Sequence, residues 1–375
     1  MLLLLIIAVA ACIPVLNYYL SNRETEPDEF YFGVSFGQEH AEEALPLIDK
    51  VKDYTNILLI NSWNVTANQT ALNLICDYAA AADLKFIVYF DFISRIAFPW
   101  HQQWLDEAPQ RWGDKFLGVH LRDEPGGKQL EENELFTNAS DYDDAAFQFI
   151  NETLSTNSMK DAKSKGIKLF TSDYVLFWWD YLAGYDTVFA ELGWNMSTNR
   201  QIALCRGAAN MQGKDWGAII TYETDNPPYL GSADEIYYDM AAAYRAGAKY
   251  VIVFNYPKYP ENNTYGILSE EHFSAMAQFW EYTHVYSRAA YGEAEANTVL
   301  VLPRNYGWGM RRSEYISKDW IWGLWQEDEL SPQILKNVNW LETHSNLQFD
   351  IVYEDPHFSY ADKYSRVIYW NSTLP

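Results

Sequence analysis

Two glutamates stand at the ends of short apolar runs, where a side chain can do chemistry. Glu124 closes the run Gly118-Val-His-Leu-Arg-Asp-Glu and is followed by Pro125, and Glu223 closes Ile219-Ile-Thr-Tyr-Glu. A pair of carboxyl groups can divide a reaction between them, because the protonated one releases a leaving group and the ionised one attacks carbon or activates water. Glu124 and Glu223 are therefore the predicted catalytic residues.

Other polar and aromatic residues follow the remaining apolar runs, in positions that could contact a substrate held by the two glutamates. Carboxylates at the ends of so many strands would repel one another and would destabilise a site with only a structural role. Their number therefore favours a functional cleft. Glu191 is an alternative to Glu223 as the second carboxylate, and Asp173 could equally pair with Arg122. The predicted substrate-binding residues are Trp63, Asp91, Asp123, Asp173, Tyr174, Glu191, Trp194, Asn255 and Tyr256.

The elements that must position these residues alternate from Phe30 onward between short β-branched or aromatic runs and helical patterns, which is typical of a parallel sheet. Eight such units over about 260 residues predict a (β/α)₈ TIM barrel. An open doubly wound sheet is the main alternative, but Gly33-Val-Ser-Phe-Gly37 lacks the phosphate-binding fingerprint. The predicted strands are Phe30–Phe36, Asn56–Ser62, Lys85–Phe90, Phe116–Leu121, Lys168–Ser172, Thr187–Glu191, Trp216–Tyr222 and Tyr250–Asn255. The predicted helices include Ala41–Tyr54, Thr70–Ala82, Asp144–Lys165, Asn199–Gln212, Ser232–Ala246 and Ser269–Arg288.

After the barrel, predicted over 30–292, the pattern restarts and indicates a small Rossmann-like α/β module over 297–375. Its predicted elements are a strand at Thr298–Leu302, a helix near Gln333–His344, and strands at Asp350–Tyr353 and Arg366–Trp370. The module ends soon after its third strand, so we expect it to be minimal or truncated.

The N-terminal stretch is apolar from Met1 to about Leu20 and is followed by an acidic polar segment. This pattern predicts a signal peptide or membrane anchor over 1–20 and a linker over 21–29. Asn-x-Ser/Thr sequons are roughly threefold more frequent than chance, which favours exposure to a glycosylation machinery. We therefore expect an extracytoplasmic protein, secreted or anchored at the cell surface. The seven sequons begin at Asn64, Asn68, Asn138, Asn151, Asn195, Asn262 and Asn371.

The composition of the chain limits the classes of molecule that it could bind. Asp and Glu number 51 against 27 Lys and Arg, and the formal net charge of -24 repels nucleic acid. Aromatic residues form 17% of the chain, and an acidic surface rich in Trp and Tyr suits neutral sugars, whose C–H faces stack on rings. The histidines have no metal-ligand spacing and no nucleotide-binding motif is present, so we expect neither metal nor cofactor. The expected partners are carbohydrate and a membrane contacted through the N-terminal segment.

The residues around Glu124 resemble a family signature. Gly118-Val-His-Leu-Arg-Asp-Glu124-Pro125 is similar to the strand-four motif of clan-A glycoside hydrolases, in which Asn-Glu-Pro presents the general acid/base. Glu223 is similar to the nucleophile that the clan places after strand seven. A small α/β domain after the barrel also resembles the layout of family 42 β-galactosidases. The resemblance implies a retaining glycosidase, with the two carboxyl groups roughly 5–5.5 Å apart.

Two departures from the clan pattern leave other functions open. Asp123 replaces the Asn that bonds the sugar 2-hydroxyl, and strand eight ends in Phe254-Asn255-Tyr256 rather than in Trp. The second hypothesis is therefore a catalytically inactive carbohydrate-binding or surface structural protein. A third is a different barrel enzyme that uses the clustered carboxylates, for example on a metal. A separation of roughly 6.5–9.5 Å between the glutamates would instead indicate inversion.

Overall fold

The computed structural model describes residues 29–90, 98, 100–127, 140–256, 263–286, 288, 294–306, 310–312, 320–322 and 330–374. Eight parallel strands close into a barrel, in which each strand pairs with the next and β8 pairs with β1. The TIM barrel is thus confirmed, and the β8–β1 pairing excludes an open sheet. The strands are β1 (Tyr31–Phe36), β2 (Ile57–Ile60), β3 (Lys85–Tyr89), β4 (Phe116–Asp123), β5 (Leu169–Asp173), β6 (Thr187–Leu192), β7 (Asp215–Ile220) and β8 (Tyr250–Val253).

The barrel interior is a packed core, because large side chains from alternate strand positions fill it. Phe170 and Phe189 stack at 5.8 Å between ring centroids, and Tyr31 and Tyr250 stack at 4.8 Å. Every residue of β1, β2 and β8 is buried, which explains why these strands read as continuous apolar runs instead of alternating ones. A substrate must therefore bind outside this core, at the barrel mouth formed by the C-terminal ends of β1–β8.

Helices follow the strands, and Ser or Asn side chains cap several of them; for example, Asn68 accepts hydrogen bonds from the amides of Thr70 and Ala71. The helices are α1 (Ala44–Val51), α2 (Trp63–Thr66), α3 (Gln69–Ala81), α4 (His101–Trp112), α5 (Tyr142–Gln148), α6 (Asn157–Ser164), α7 (Phe177–Ala183), α8 (Thr198–Gln212), α9 (Ala233–Arg245), α10 (Glu270–Val285) and α11 (Ser331–Ser345). Short 3₁₀ turns span Ala41–Glu43, Gly113–Lys115 and Tyr360–Asp362.

The single helix predicted over Asp144–Lys165 is wrong. The chain forms α5, then a π-helical turn at Phe149–Leu154, and starts α6 anew after Thr156. The Thr156 side chain accepts a hydrogen bond from the Met159 amide, so it caps a new helix where the prediction continued the old one.

The module after the barrel contains a three-stranded parallel sheet, with β9 (Thr298–Leu302) between β12 (Phe349–Tyr353) and β13 (Arg366–Tyr369). These strands and α11 confirm the elements predicted for it. A short antiparallel pair, β10 (Met310–Arg312) and β11 (Trp320–Trp322), lies between β9 and α11 in sequence.

The chain divides into two compact units, Met1–Phe30 and Tyr31–Pro375, and every element given above lies in the second. The predicted anchor at 1–20 falls outside the described residues. Within the described ranges, no helix is long and apolar enough to span a membrane. The predicted boundary between barrel and module, near 292–297, stays a prediction.

Candidate active site

A β-bulge at the end of β4 presents Glu124 at the barrel mouth. His120 pairs with Phe170 and Asp123 with Ser172, so β4 advances by three residues while β5 advances by two. Arg122 and Glu124 adopt φ values of 60° and 49°, in the left-handed region that non-glycine residues rarely occupy. Bulges of this kind re-aim a side chain, and here the affected side chains are those of the predicted catalytic motif.

Side chains of β5 and of the segment before β6 hold this bulge in place. The Thr171 hydroxyl donates to the Arg122 carbonyl at 2.6 Å, and the Glu124 amide donates to the Ser172 carbonyl at 2.9 Å. The Tyr185 hydroxyl donates to the Leu121 carbonyl at 2.9 Å. The unusual backbone at Glu124 is therefore determined by its neighbours, as expected for a site that needs a fixed orientation.

Asp123 lies beside Glu124 and is partly exposed. Its Oδ1 atom accepts a hydrogen bond from the Ser172 hydroxyl at 3.0 Å. This contact orients the carboxylate that stands where the clan pattern has Asn. A carboxylate can accept a hydrogen bond from a sugar hydroxyl but has no N–H to donate, so any recognition by Asp123 differs from that of an amide.

Glu191, at the end of β6, lies with its side chain close to that of Glu124. It is 4% exposed, and its Oε2 atom has no other hydrogen-bond partner. Burial first, and then the nearby carboxylates of Glu124 and Asp123, raise the pKa of Glu191 well above its ordinary value. Two carboxyl groups placed so close together favour a shared proton, because a second negative charge at this depth is unfavourable.

Glu223 lies in the loop after β7, where Oε2 accepts a hydrogen bond from the Asn195 amide at 2.9 Å. The Glu223 amide in turn donates to the Tyr229 carbonyl at 2.7 Å. The side chain borders a cavity of about 1100 Å³, which is also lined by Asn195, Tyr229 and the N-terminal ends of α9 and α10. Its role as the partner of Glu124 stays a prediction.

Asp173 and Tyr174 are less accessible than a direct sugar contact requires. Asp173 is 0% exposed, and both of its oxygens accept backbone hydrogen bonds, including those of Gly126 and Gly127. Tyr174 is 6% exposed and packs against Gly127, where a Cβ atom would lie 2.0 Å from the ring carbon Cζ. These contacts favour a structural role for both residues.

Asn255 is also buried, and its contacts are those of a structural residue. Asn255 is 0% exposed, and its Oδ1 accepts from the Ile267 amide at 3.1 Å. The side chain thereby ties the end of β8 to the segment before α10. Asp91, another predicted ligand, lies outside the described residues.

The aromatic residues predicted to bind sugar differ in exposure. Trp63 begins α2 with 46% of its surface exposed, and Tyr256 is 41% exposed and stacks on Phe254 at 6.1 Å. Trp194 is partly buried and meets the Tyr222 ring edge-on at 5.6 Å. Trp63 and Tyr256 therefore present faces on which a sugar could stack.

Five of the predicted glycosylation sites fall within the described residues, and all five asparagines are exposed. Asn138 and Asn262 lie outside this part of the chain. The exposed ones are Asn64, Asn68, Asn151, Asn195 and Asn371.

Sequence reasoning missed Asp180, a carboxyl group of α7 that is 0% exposed and lies close to the carboxyl group of Asp173. The signal was available, because Asp180 stands alone in the apolar run Phe177-Trp-Trp-Asp180-Tyr-Leu. A lone carboxylate in an apolar helix must find a partner in the fold. Within the described residues, no group of three or more His, Cys, Asp or Glu side chains is arranged to hold a metal ion.

Comparison with solved structures finds barrels of similar layout. The β-galactosidase of the psychrophilic Marinomonas ef1 superposes with a TM-score of 0.55 at 9% identity, over 91% of this chain and 72% of that one. The β-galactosidase of the Antarctic haloarchaeon Halorubrum lacusprofundi gives 0.54 at 10% identity, over 91% and 69%. A GH5_18 protein of Streptomyces cattleya, solved with GlcNAc, gives 0.55 at 11% identity, over 91% and 98%.

At these identities the likeness is one of fold. The chain is a TIM barrel whose layout is similar to that of these three structures, and family 42 is not singled out. No family model and no curated protein matches the chain in sequence.

Proposed function

We propose that the protein is a retaining glycoside hydrolase that acts on carbohydrate outside the cytoplasm. The observation that carries the proposal is the contact between Glu124 and Glu191 at the barrel mouth, in which the raised pKa of Glu191 keeps a proton available. Glycosidic cleavage at neutral pH needs such a protonated carboxyl group, because the leaving oxygen must be protonated as its bond to carbon breaks.

The proposed mechanism gives Glu124 the role of general acid and base. Glu124 is more exposed than Glu191, so it faces the substrate while Glu191 lies behind it as the hydrogen-bond partner. Glu124 donates the proton that it shares with Glu191 to the glycosidic oxygen, the C–O bond breaks, and the carboxylate of Glu223 attacks the anomeric carbon to form a glycosyl ester. Water then attacks this ester as Glu124 removes its proton, which releases the sugar and restores both carboxyl groups.

The substrate class follows from the charges of the mouth. Asp123, Glu124 and Glu191 place three carboxyl groups within electrostatic reach of one another, so an anionic sugar would be repelled. Neutral sugar rings fit this site better, with Trp63 or Tyr256 as stacking surfaces. The similar folds include proteins named β-galactosidase and one solved with GlcNAc, which is consistent with a neutral substrate.

Three single variants test this proposal on a panel of aryl glycosides: Glu124→Gln, Glu223→Gln and Glu191→Gln. Loss of general acid/base catalysis lowers kcat by about 10²–10⁴-fold, so Glu124→Gln is expected to fall in this range. Glu107→Gln is the matched control, because Glu107 is exposed on α4 and accepts a hydrogen bond only from the neighbouring Gln103 side chain among the contacts described. Unchanged rates in both Glu124→Gln and Glu223→Gln would sink the proposal.

Azide rescue separates the two candidates for the second carboxylate. In a variant that lacks the nucleophile, azide enters from the opposite face and yields a glycosyl azide of inverted configuration. We expect this product from Glu223→Ala and a retained glycosyl azide from Glu124→Ala. If Glu191→Ala gives the inverted azide and Glu223→Ala stays fully active, the nucleophile is Glu191 and the reaction class is unchanged.

A second function, carbohydrate binding without catalysis, is favoured by one specific observation. Asp123 stands in place of the clan's Asn, and Ser172 already occupies one of its oxygens. Glycan-array binding at micromolar concentration, together with no turnover of any bound glycan, would select this function over hydrolysis.

We also propose that the chain is a glycoprotein exposed outside the cytoplasm and tethered through its N-terminal segment. The exposure of the five described sequon asparagines supports this, since an oligosaccharide needs solvent around its attachment point. Peptide-N-glycosidase treatment of the native protein in heavy-oxygen water should label these asparagines as aspartate. Asn226, which is exposed but precedes a proline and lies outside any sequon, is the control.

A further inference from the structure

The turn that follows Glu124 is held by one buried carboxylate. Asp173 Oδ2 accepts from the Gly126 amide at 2.5 Å, and Oδ1 accepts from the Gly127 amide at 3.0 Å. Oδ1 also accepts from the amides of Tyr174 and Val175, at 2.7 and 3.3 Å. Four backbone donors thus converge on Asp173, and two of them belong to the segment directly after Glu124.

Glycine is required at this turn because the end of β5 and the segment between β5 and α7 approach the backbone closely. A Cβ atom on residue 126 would lie 2.5 Å from Asp173 Oδ2 and 2.6 Å from the Leu176 Cβ atom. A Cβ atom on Gly127 would meet the Tyr174 ring at 2.0 Å. The turn therefore lies directly on Asp173 and Tyr174, so a change at Asp173 reaches Glu124 through two residues of backbone.

Asp173 has a second buried carboxyl group against it. Asp180 of α7 is 0% exposed, and its side chain is in hydrogen-bond contact with Asp173. Neither oxygen of Asp180 receives a hydrogen bond from any N–H or O–H group of the described chain. Two carboxylates cannot hydrogen-bond to each other without a proton, and an unpartnered carboxylate at this depth would be strongly unfavourable.

A proton on Asp180 satisfies both residues. Desolvation raises the pKa of Asp180 well above its ordinary value, and the charge of Asp173 raises it further. The pKa of Asp173 is raised by desolvation but lowered by its backbone donors, so Asp173 is the partner that ionises. The other titratable or charged groups facing the pair are Arg122 of β4, Tyr181 of α7, Tyr185 after it, Glu191 of β6 and Cys205 of α8.

We propose that Asp180 is a positioning residue for the active site: it donates a hydrogen bond to Asp173, and Asp173 holds the Gly126–Gly127 turn that fixes Glu124. The proposal rests on the proposed chemical role of Glu124 but concerns a different layer of the fold. Asp180 itself is too deeply buried to touch a substrate at the mouth.

The test compares two variants of similar size in the full chain. Asp180→Asn keeps a neutral side chain that can donate to Asp173, whereas Asp180→Leu removes the donor. We expect Asp180→Asn to keep kcat within threefold of the wild type. Asp180→Leu should lose about 10²-fold in kcat with KM within twofold, because misplacing a catalytic group by about 1 Å costs that much.

Hydrogen exchange at the amides of Gly126 and Gly127 provides a readout that does not depend on activity. These amides should lose protection in Asp180→Leu and keep it in Asp180→Asn. In the wild type the protection should fall at alkaline pH, as Asp180 ionises beside Asp173, whereas Asp180→Asn should show no such fall. This pH comparison needs only the wild type and the Asn variant, so it remains decisive if Asp180→Leu does not fold.

Equal protection and equal kcat in Asp180→Leu and Asp180→Asn would overturn the proposal, as would identical pH profiles of protection in Asp180→Asn and the wild type. Failure of the proposed function has a different signature. If the wild type hydrolyses no glycoside while Gly126 and Gly127 respond as expected, then Asp180 positions the turn but the turn does not serve glycosidic cleavage.

Discussion

Asp350 and Glu191 are both buried carboxyl groups, but their surroundings are opposite in kind. Asp350, in β12, is 0% exposed and receives hydrogen bonds from Arg206 Nε at 2.8 Å and from the Tyr364 hydroxyl at 2.8 Å. Asn210 adds a third contact at 3.2 Å. Glu191 is 4% exposed and faces Glu124 and Asp123, which carry the same charge. The first arrangement neutralises a charge, and the second retains a proton.

The contrast distinguishes a structural site, around Asp350, from a candidate reactive site, around Glu191. Arg206 of α8 also donates to the carbonyl groups of Leu347 and Phe349, at 2.5 and 3.0 Å, so its pair with Asp350 joins the barrel wall to the three-stranded sheet. In the part of the chain that the structure describes, no N–H or O–H group donates to Glu191 Oε2 at the end of β6. Carboxyl groups whose pKa is raised by burial and like charge are typical of functional sites.

The largest expected effect comes from breaking the compensated pair. Asp350→Ala leaves the Arg206 charge buried without its partner, which costs about 3–5 kcal/mol of the free energy of unfolding. Chemical denaturation measures this loss, and activity per folded molecule should stay within twofold, because Asp350 lies away from the barrel mouth. Asp49→Ala, at an exposed site where the partner is Lys52, is the control. A loss below about 1 kcal/mol would show that Asp350 and Glu191 are less different than their contacts indicate.

Asp239 of α9 lies between the two extremes. It is 8% exposed and accepts one hydrogen bond, from the Thr198 hydroxyl at 2.7 Å. Burial raises its pKa to about 6, assisted by the charges of Glu223 and Glu235. A carboxyl group whose pKa is raised on folding contributes stability at low pH that is lost as the pH rises through about 6.

Asp239→Asn should therefore raise the free energy of unfolding at pH 7 and above, by up to about 3 kcal/mol, since the amide keeps the Thr198 contact without a charge. The gain should shrink below pH 6 and vanish near pH 4. Thermal melts of wild type and variant across this range measure it. Asp234→Asn, at an exposed position of the same helix, should show no such pH dependence. A pH-independent gain would assign the effect to packing instead of titration.

Glu191→Gln should have effects opposite to those of Asp350→Ala. We expect its free energy of unfolding to rise and its activity to fall. Its raised pKa means that the wild type loses stability as the pH rises through the folded-state pKa, whereas Gln does not ionise. We expect the variant to be more stable than the wild type at alkaline pH and to have a lower kcat, the usual relation at strained active sites. Denaturant midpoints at pH 5 and pH 8 check this, with a wider difference at pH 8. A destabilised variant at both values would make Glu191 a structural residue like Asp350.

The fold was predictable from sequence because its strands are buried on both faces and separated by clear helical patterns. All eight barrel strands and the three strands of the module's sheet lie where the apolar runs placed them. The sequence analysis offered Glu191 as an alternative to Glu223 for the second carboxylate near Glu124. No pattern of residue types decides which of the two strand-end glutamates lies closer to Glu124. That choice depends on the bulge in β4, which shifts the register by a single residue between His120 and Asp123.

Asp173 shows why the site was harder to predict than the fold. Its strand-end position is that of a substrate ligand, yet its contacts are backbone amides, which leave no trace in the sequence. Gly126 and Gly127 were the only hint, since adjacent glycines indicate close packing as well as a turn. Asp180 is separated from Asp173 by seven residues and lies in a different element, so only the folded structure brings the two together.

The smallest expected effect concerns Trp63, an exposed aromatic residue at the edge of the barrel mouth. No buried charge is involved there, so we expect a change in substrate binding only. Trp63 begins α2 at the barrel mouth with 46% of its surface exposed, and its ring lies 6.5 Å from that of Phe98. Loss of a stacking surface should weaken sugar binding by about 1 kcal/mol, so Trp63→Ala should raise KM about fivefold while kcat stays within twofold. Trp63→Phe should recover most of the affinity, because the ring face is kept. Tyr238→Ala is the control, since Tyr238 is 58% exposed in α9, away from the strand ends, and its KM should equal that of the wild type. If Trp63→Ala lowers kcat and leaves KM unchanged, Trp63 orients the reacting groups. In that case the roles of the buried carboxyl groups and of the exposed aromatic residue are not separate.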